Sequence, residues 1–257
     1  MFDWGALTLF LFIVMRMFGF LQFNPIFGRP GIPVFFQLGF ILTLSGAAYS
    51  VYGGTVVMPA TLLEYAFRLL LELGLGFLFG VVMRMFLYVP EQAGELIDMQ
   101  MGMSMARNYD PTTQSQTTST ANILNTMTVL LFFAENGHLT LLRMMLTSGE
   151  IIPFGAASLG GQIPERVVEL FAECVLLAVK LAMPVLGAEL MGQIGMGVLM
   201  KAIPQINVFS INIEVKMLIG LFMLLFLISP ISQFLLEMET LMLKELHNLL
   251  ALASPGG

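Results

Sequence analysis

Two long stretches, Ile32–Tyr52 and Met217–Leu236, contain no charged side chain at all. A helix of about 20 apolar residues spans the roughly 30 Å of hydrocarbon in a bilayer. Four more regions come close. Ala6–Phe23 is broken only by Arg16, and Leu69–Val89 only by Glu72 and Arg84. Ile123–Leu146 holds the run VLLFFA together with Glu135, His138 and Arg143, and Val167–Met200 is long enough for more than one span. The sequence therefore predicts six apolar regions, with one more if Pro184 divides the last-named stretch, and a kink at Pro230. Composition agrees: 57% of residues are hydrophobic and 11% charged, against about 25% charged in soluble domains. So few charges cannot cover a surface that faces water. The expected fold class is an all-α membrane protein.

The same inventory excludes several chemistries. The net charge is −6 with no basic cluster, so nucleic acid is not expected as a partner. Cys174 is the only cysteine, which rules out an intrachain disulfide and a cysteine-based metal cluster. No G-x-x-x-x-G-K-[ST] loop occurs. No cofactor or metal is expected. Glu135 and His138 could share a helix face, but Gly137 lies between them and no nucleophile or further ligand accompanies them, which argues against an intramembrane enzyme. Asp3 precedes the first apolar run, no Lys or Arg does, and Arg16 interrupts it, so that run reads as a retained helix and not a signal peptide.

The breaks between runs are equally informative. Phe23–Pro33 is rich in proline and glycine and reads as a loop; Asn108–Thr120 (NYDPTTQSQTTST) is the one strongly polar stretch; Thr147–Glu165 reads as a connector. After Leu236 the pattern turns amphipathic, with Met238, Leu241, Met242, Leu246 and Leu249 on one face and Glu237, Glu239, Lys244 and Glu245 among the other positions. Over about 237–252 this predicts a helix packed on a partner or on the membrane surface.

Charges inside the apolar runs fall into ladders. Glu64, Arg68 and Glu72 are spaced i, i+4, i+8, and Glu165, Glu169 and Glu173 repeat that spacing, with Lys180 one heptad beyond. A charge facing lipid is costly. These residues are expected either to form salt bridges to neighbouring helices or to line a translocation pathway. Gly76-x-x-x-Gly80 and Ala188-x-x-x-Gly192 offer small faces for close helix packing.

Met99, Met101, Met103 and Met105 alternate through MQMGMSM, which is no helical stripe. Gly102 adds backbone freedom and methionine is deformable. Followed by Asn108, Tyr109, Asp110, Pro111 and the rest of the polar stretch, the segment reads either as a flexible seal or plug in a channel, or as a loosely packed helix end before an exposed loop.

The stretch EQAGELIDMQMGMSMARNYDP, Glu91–Pro111, resembles the FliR family of flagellar export-gate proteins and its virulence-secretion relatives, the SctT family. Gly94, Asp98, Gly102, Asp110 and Pro111 match the family's "aG-x-x-iD-x-x-x-G … DP" pattern. Gly137 and His138 with Ser148, Pro153 and Gly155 resemble its "GH … S … P-x-G" segment, and Pro204 with Asn207-Val208-Phe209 its "P-x-x-NVF" motif. Arg16, Pro25 and Pro33 also fall in place. Departures are Glu214, where a proline is common, and Gln37, where an arginine is.

This resemblance implies a non-enzymatic subunit of the flagellar type III protein export gate, in the bacterial inner membrane at the flagellar basal body. It implies tilted helical hairpins packed in a spiral with P-type and Q-type subunits (FliP, FliQ), contacts to FlhB-type and FlhA-type export proteins and to lipid, and a channel for unfolded secreted proteins that also helps start the rod. It implies one domain over residues 1–257 with a plug-like loop at about 101–120. A virulence-type gate is the alternative within the family. A secondary transporter of a small solute is the alternative outside it, weakened by the lack of paired, repeat-related broken helices.

Overall fold

The computed structural model describes residues 4–29, 31–52, 56, 58–103, 108–110, 115–202 and 208–254. Among the described residues the regular elements are helices, apart from one short hairpin. The elements are α1 (Trp4–Phe23), α2 (Val34–Tyr52), α3 (Leu62–Met101), β1 (Asn108–Asp110), β2 (Ser115–Thr117), α4 (Ser119–Ala134), α5 (Gly137–Ile151), α6 (Ile163–Ala202), α7 (Val208–Phe226) and α8 (Ile228–Leu252). Among the described residues, four helices (α1, α2, α3 and α6) are long and apolar enough to cross a membrane; α4 with α5 and α7 with α8 qualify only as broken spans, giving up to six. This is an all-α membrane protein.

Several boundaries differ from the expectations. Pro184 does not divide α6, which runs unbroken for 40 residues. A proline removes one helical hydrogen bond, and apolar flanks of this length hold the helix together across that gap. The predicted span Met217–Leu236 does not exist as one helix. It is bent by 63° between α7 and α8 at Leu227. The ring of Pro230 collides with the carbonyl four residues earlier, at Phe226, and that is where α7 ends. Ile123–Leu146 is likewise two helices. Asn136 between them adopts a left-handed φ of 57°, a conformation that asparagine tolerates better than most residues. The connector expected over Thr147–Glu165 shrinks to 152–162, because α5 continues to Ile151. The polar stretch after α3 is not wholly loop: β1 and β2 pair antiparallel, Asn108 opposite Thr117 and Asp110 opposite Ser115, and Ser119 and Thr120 already belong to α4.

The chain divides into two compact units. The first holds residues 1–86, 136–171 and 239–257. In it α2 packs on both α1 and α5. The Gly76-x-x-x-Gly80 face of α3 lies against α1: a Cβ on Gly76 would strike Arg16 and Phe20, and one on Gly80 would strike Phe23. Gly19 of α1 returns the contact against Leu73 and Phe77. Close backbone approach of this kind is what small residues permit in membrane helices. The amphipathic end of α8 that belongs to this unit buries Met242, Leu246 and Leu249; Leu241 is only half-buried, while Glu239 and Glu245 are buried with the apolar set, and Met238, the last residue of the second unit, is buried too.

The second unit holds residues 87–135 and 172–238. Gly192, from the Ala188-x-x-x-Gly192 face of α6, meets Ile219 of α7, and Gly220 of α7 meets the side chain of Met101.

Candidate functional site: a clamped loop and a buried ion pair

Three residues of the Glu91–Pro111 stretch acquire separate physical roles in the second unit. Gly94 faces Ala121 so closely that a Cβ would collide with the backbone of α4. One turn later, Asp98 is wholly buried. Its carboxylate accepts the Thr120 amide at 2.8 Å through Oδ2 and the Thr120 hydroxyl at 2.5 Å through Oδ1. Thr120 is the second residue of α4, where backbone N–H groups lack helical partners, so the anion satisfies the exposed end of the helix and its dipole. Thr118, the N-cap residue, makes no side-chain cap of its own. Asp98 thus caps α4 from another helix. Finally Gly102, with φ of 79°, ends α3 in a left-handed turn and donates to the Met99 carbonyl at 3.2 Å. The intervening segment 102–118 therefore starts and ends at two helices held together at Gly94 and Asp98.

The methionines do not behave as a set. Met101 is fully buried against Gly220, Met99 is 64% exposed, and Met103 is half-buried. Met105 and Pro111 lie outside the described residues, as do Pro204–Asn207 of the NVF motif; Asn108, Tyr109 and Asp110 are described as strand β1.

In the first unit Arg16 is the largest fully buried side chain. Its guanidinium meets Glu72 through Nε–Oε2 at 2.6 Å and Nη2–Oε1 at 3.1 Å. Nη1 donates to Ser148 Oγ at 3.0 Å and to the Ile152 carbonyl at 3.1 Å, and the Phe154 ring centre lies 4.2 Å from Cζ. Glu72 Oε1 also accepts the Gly155 amide at 2.7 Å. Gly155 has φ of 84°, and a Cβ there would press on the Phe12 ring. Arg16 thus meets Ser148 and Gly155, more distant in the sequence, around one ion pair. Every nitrogen of the guanidinium and both carboxylate oxygens have a hydrogen-bond partner, as a charge pair removed from water requires.

The first ladder therefore splits. Arg68 pairs with Glu64 at 2.6 Å along the same helix and reaches the Gly155 carbonyl at 3.4 Å, whereas Glu72 turns to Arg16. In the second ladder Glu165, Glu169 and Lys180 are exposed and Glu173 half-buried. Arg166, a residue the spacing did not single out, pairs with Glu169 at 2.9 Å and with Glu245 of α8 at 2.9 Å. The Arg16–Glu72 pair was also missed, although a signal existed: each is a lone charge of its sign in a neighbouring apolar run. Among the described residues no group of three or more His, Cys, Asp or Glu side chains could hold a metal.

Residues 7–241 match the family model described as bacterial export proteins, family 1. The flagellar biosynthetic protein FliR of Bacillus subtilis (strain 168) is 26% identical over 216 residues, 82% of either chain. FliR of Escherichia coli (strain K12) is 24% identical over 83% of this chain and 81% of its own. Yop proteins translocation protein T of Yersinia pestis is 30% identical over 162 residues, 60% of this chain and 61% of its own. With a family match that covers most of its length and membrane-length helices throughout, the chain belongs to the bacterial export proteins of family 1.

Proposed function

We propose that this chain is a non-enzymatic subunit of a type III protein export gate in the bacterial inner membrane, most like flagellar FliR. In this reading it forms part of the passage for unfolded exported proteins, takes its place beside P-type and Q-type subunits and the FlhA-type and FlhB-type proteins, and helps nucleate the flagellar rod. The flagellar version is preferred to the virulence version because the similarity to flagellar relatives extends over more of the chain.

The observation that carries the reading is the Asp98–Thr120 clamp. It gives the 102–118 segment fixed roots, while Gly102 gives it a left-handed turn that residues with a side chain rarely adopt. A seal needs both: it must be held in place, and it must yield to chains of varied width. The methionine-bearing end of α3 supplies the deformable apolar contact.

The test is to delete Asn108–Thr117 while keeping Thr118–Thr120, so that the clamp survives. The variant is coexpressed with P-type and Q-type subunits and assembly is checked by copurification. Raised leak of small ions or dyes across the membrane, with assembly intact, is the expected result. An assembled variant as tight as the parent would remove the seal assignment.

A further inference from the structure

Within the second unit, α3 from Tyr88 to Met99 has two contrasting faces. Val89, Ala93, Gly94, Ile97 and Asp98 are buried. The opposite face carries Tyr88 (48% exposed), Gln92 and Met99, all exposed, with Glu91 and Glu95 half-buried between them. At 3.6 residues per turn these five fall in a stripe about 100° wide. Glu91 and Glu95 are neighbours at i, i+4, a repulsive spacing for like charges, and neither makes a hydrogen bond or ion pair among the described residues. Arg84, earlier on the same helix, is exposed as well.

The outward face of α7 from Leu218 to Phe226 is different. On α7 the exposed side chains include Leu218, Leu221, Phe222, Leu225 and Phe226, which suit lipid or an apolar neighbour. Two carboxylates with no partner among the described residues, beside a tyrosine and a glutamine, suit neither. The stripe also ends at Met99, directly before the Gly102 turn from which the clamped segment departs.

We propose that this stripe of α3 faces water and forms an acidic wall of the passage. The proposal deepens the export-gate reading and rests on it. Water hydrates Glu91 and Glu95 and screens them from each other, which no lipid or apolar helix can do. Small cations, and basic side chains of a passing polypeptide, are favoured beside this wall; anions are disfavoured.

The experiment is thiol accessibility in membrane vesicles that carry the assembled complex. In a Cys174→Ser background, Tyr88→Cys and Gln92→Cys are made singly, with Phe222→Cys as the apolar-face control. A cationic and an anionic methanethiosulfonate reagent, both membrane-impermeant, are applied. Expected are reaction at 88 and 92, none at 222, and a several-fold faster reaction with the cationic reagent at 92. That preference should vanish when Glu91→Gln and Glu95→Gln are added. Silence at 88 and 92 in an assembled complex, or equal rates with both reagents before the acids are removed, would overturn the proposal. The two readings fail separately. Reaction at 88 and 92 without a leak on deleting Asn108–Thr117 removes the seal and keeps the wall. A leak with unreactive cysteines does the reverse.

Discussion

Arg16 and Glu72 meet through two parallel hydrogen bonds, 2.6 and 3.1 Å, with neither side chain exposed to solvent. The glycine crossing makes this possible: Gly19 lies three residues after Arg16 and Gly76 four after Glu72, and the two bring the α1 and α3 backbones into direct contact. The pair then ties in Ser148, Ile152 and Gly155, so one charge pair joins three helices and the 152–162 connector.

Removing one partner should therefore be severe. Arg16→Ala or Glu72→Ala is expected to cost about 3–5 kcal/mol, because the remaining charge is stranded in an apolar interior. Arg16→Lys should rescue only in part, since an ammonium cannot reproduce the two-pronged fork. The double variant Arg16→Met with Glu72→Leu should be less damaging than either single alanine change. Thermal unfolding of the detergent-extracted protein checks the order. A double variant worse than both singles would mean that the pair itself is not the stabilising unit.

Gly94→Ala should disrupt the α3–α4 contact by about 1–3 kcal/mol, because the added methyl meets backbone that cannot swing aside. Gly39→Ala, with nothing near its missing Cβ, serves as the neutral control. Asp98→Ala should cost a similar amount, about 1–3 kcal/mol, by leaving the Thr120 amide and hydroxyl unmatched. Hydrogen exchange in the first turn of α4 is the direct readout. Both changes at 94 and 98 should speed it, and the change at 39 should not.

How far these features could be read from the sequence depends on how local their causes are. The apolar runs around α1 and α2 were legible because lipid-length hydrophobicity is written into contiguous residues, and their ends agree within a few positions. The importance of Gly94, Asp98 and Gly102 was legible only as a pattern. That Asp98 caps a helix 22 residues away is a tertiary fact. The Glu64–Arg68–Glu72 ladder marked Glu72 for a bridge to a neighbouring helix but could not name Arg16 as its partner: i, i+4 spacing says which residues can pair along one helix, not which will be claimed from another. Proline alone does not fix a break: Pro184 lies inside an unbroken helix, whereas the kink expected at Pro230 is present, just ahead of it at Leu227.

Arg68→Ala separates internal from external roles. Its bond to Glu64 is partly exposed, with the side chains 29% and 36% accessible. A surface pair of this kind contributes little to stability, so the chain itself should remain stable. If the ladder serves assembly, yield of the complex with P-type and Q-type subunits should fall while the melting temperature of the chain hardly moves. Normal assembly with export lost would instead place Arg68 on the transport pathway.

The methionines should divide by burial and not act as one gasket. Met101 has no exposed surface and packs against Gly220 of α7, so Met101→Ala opens a cavity between α3 and α7. Buried methionine-to-alanine changes cost about 2–5 kcal/mol, and this one should lower the melting temperature and the yield of the assembled gate. Met101→Leu, close in volume, should restore most of both. Met99 projects outward from the last turn of α3 and fills nothing within the chain. Met99→Ala should leave stability unchanged. If the segment beginning at Gly102 closes a passage, however, losing this flexible side chain at its root should raise the resting leak modestly, and less than deletion of Asn108–Thr117. The two readouts must therefore dissociate: leak without loss of stability for Met99→Ala, loss of stability first for Met101→Ala. Parallel behaviour of the two alanine variants, both unstable or both stable and leaky, would show that the exposure of Met99 and the burial of Met101 in the single chain do not persist in the assembled gate.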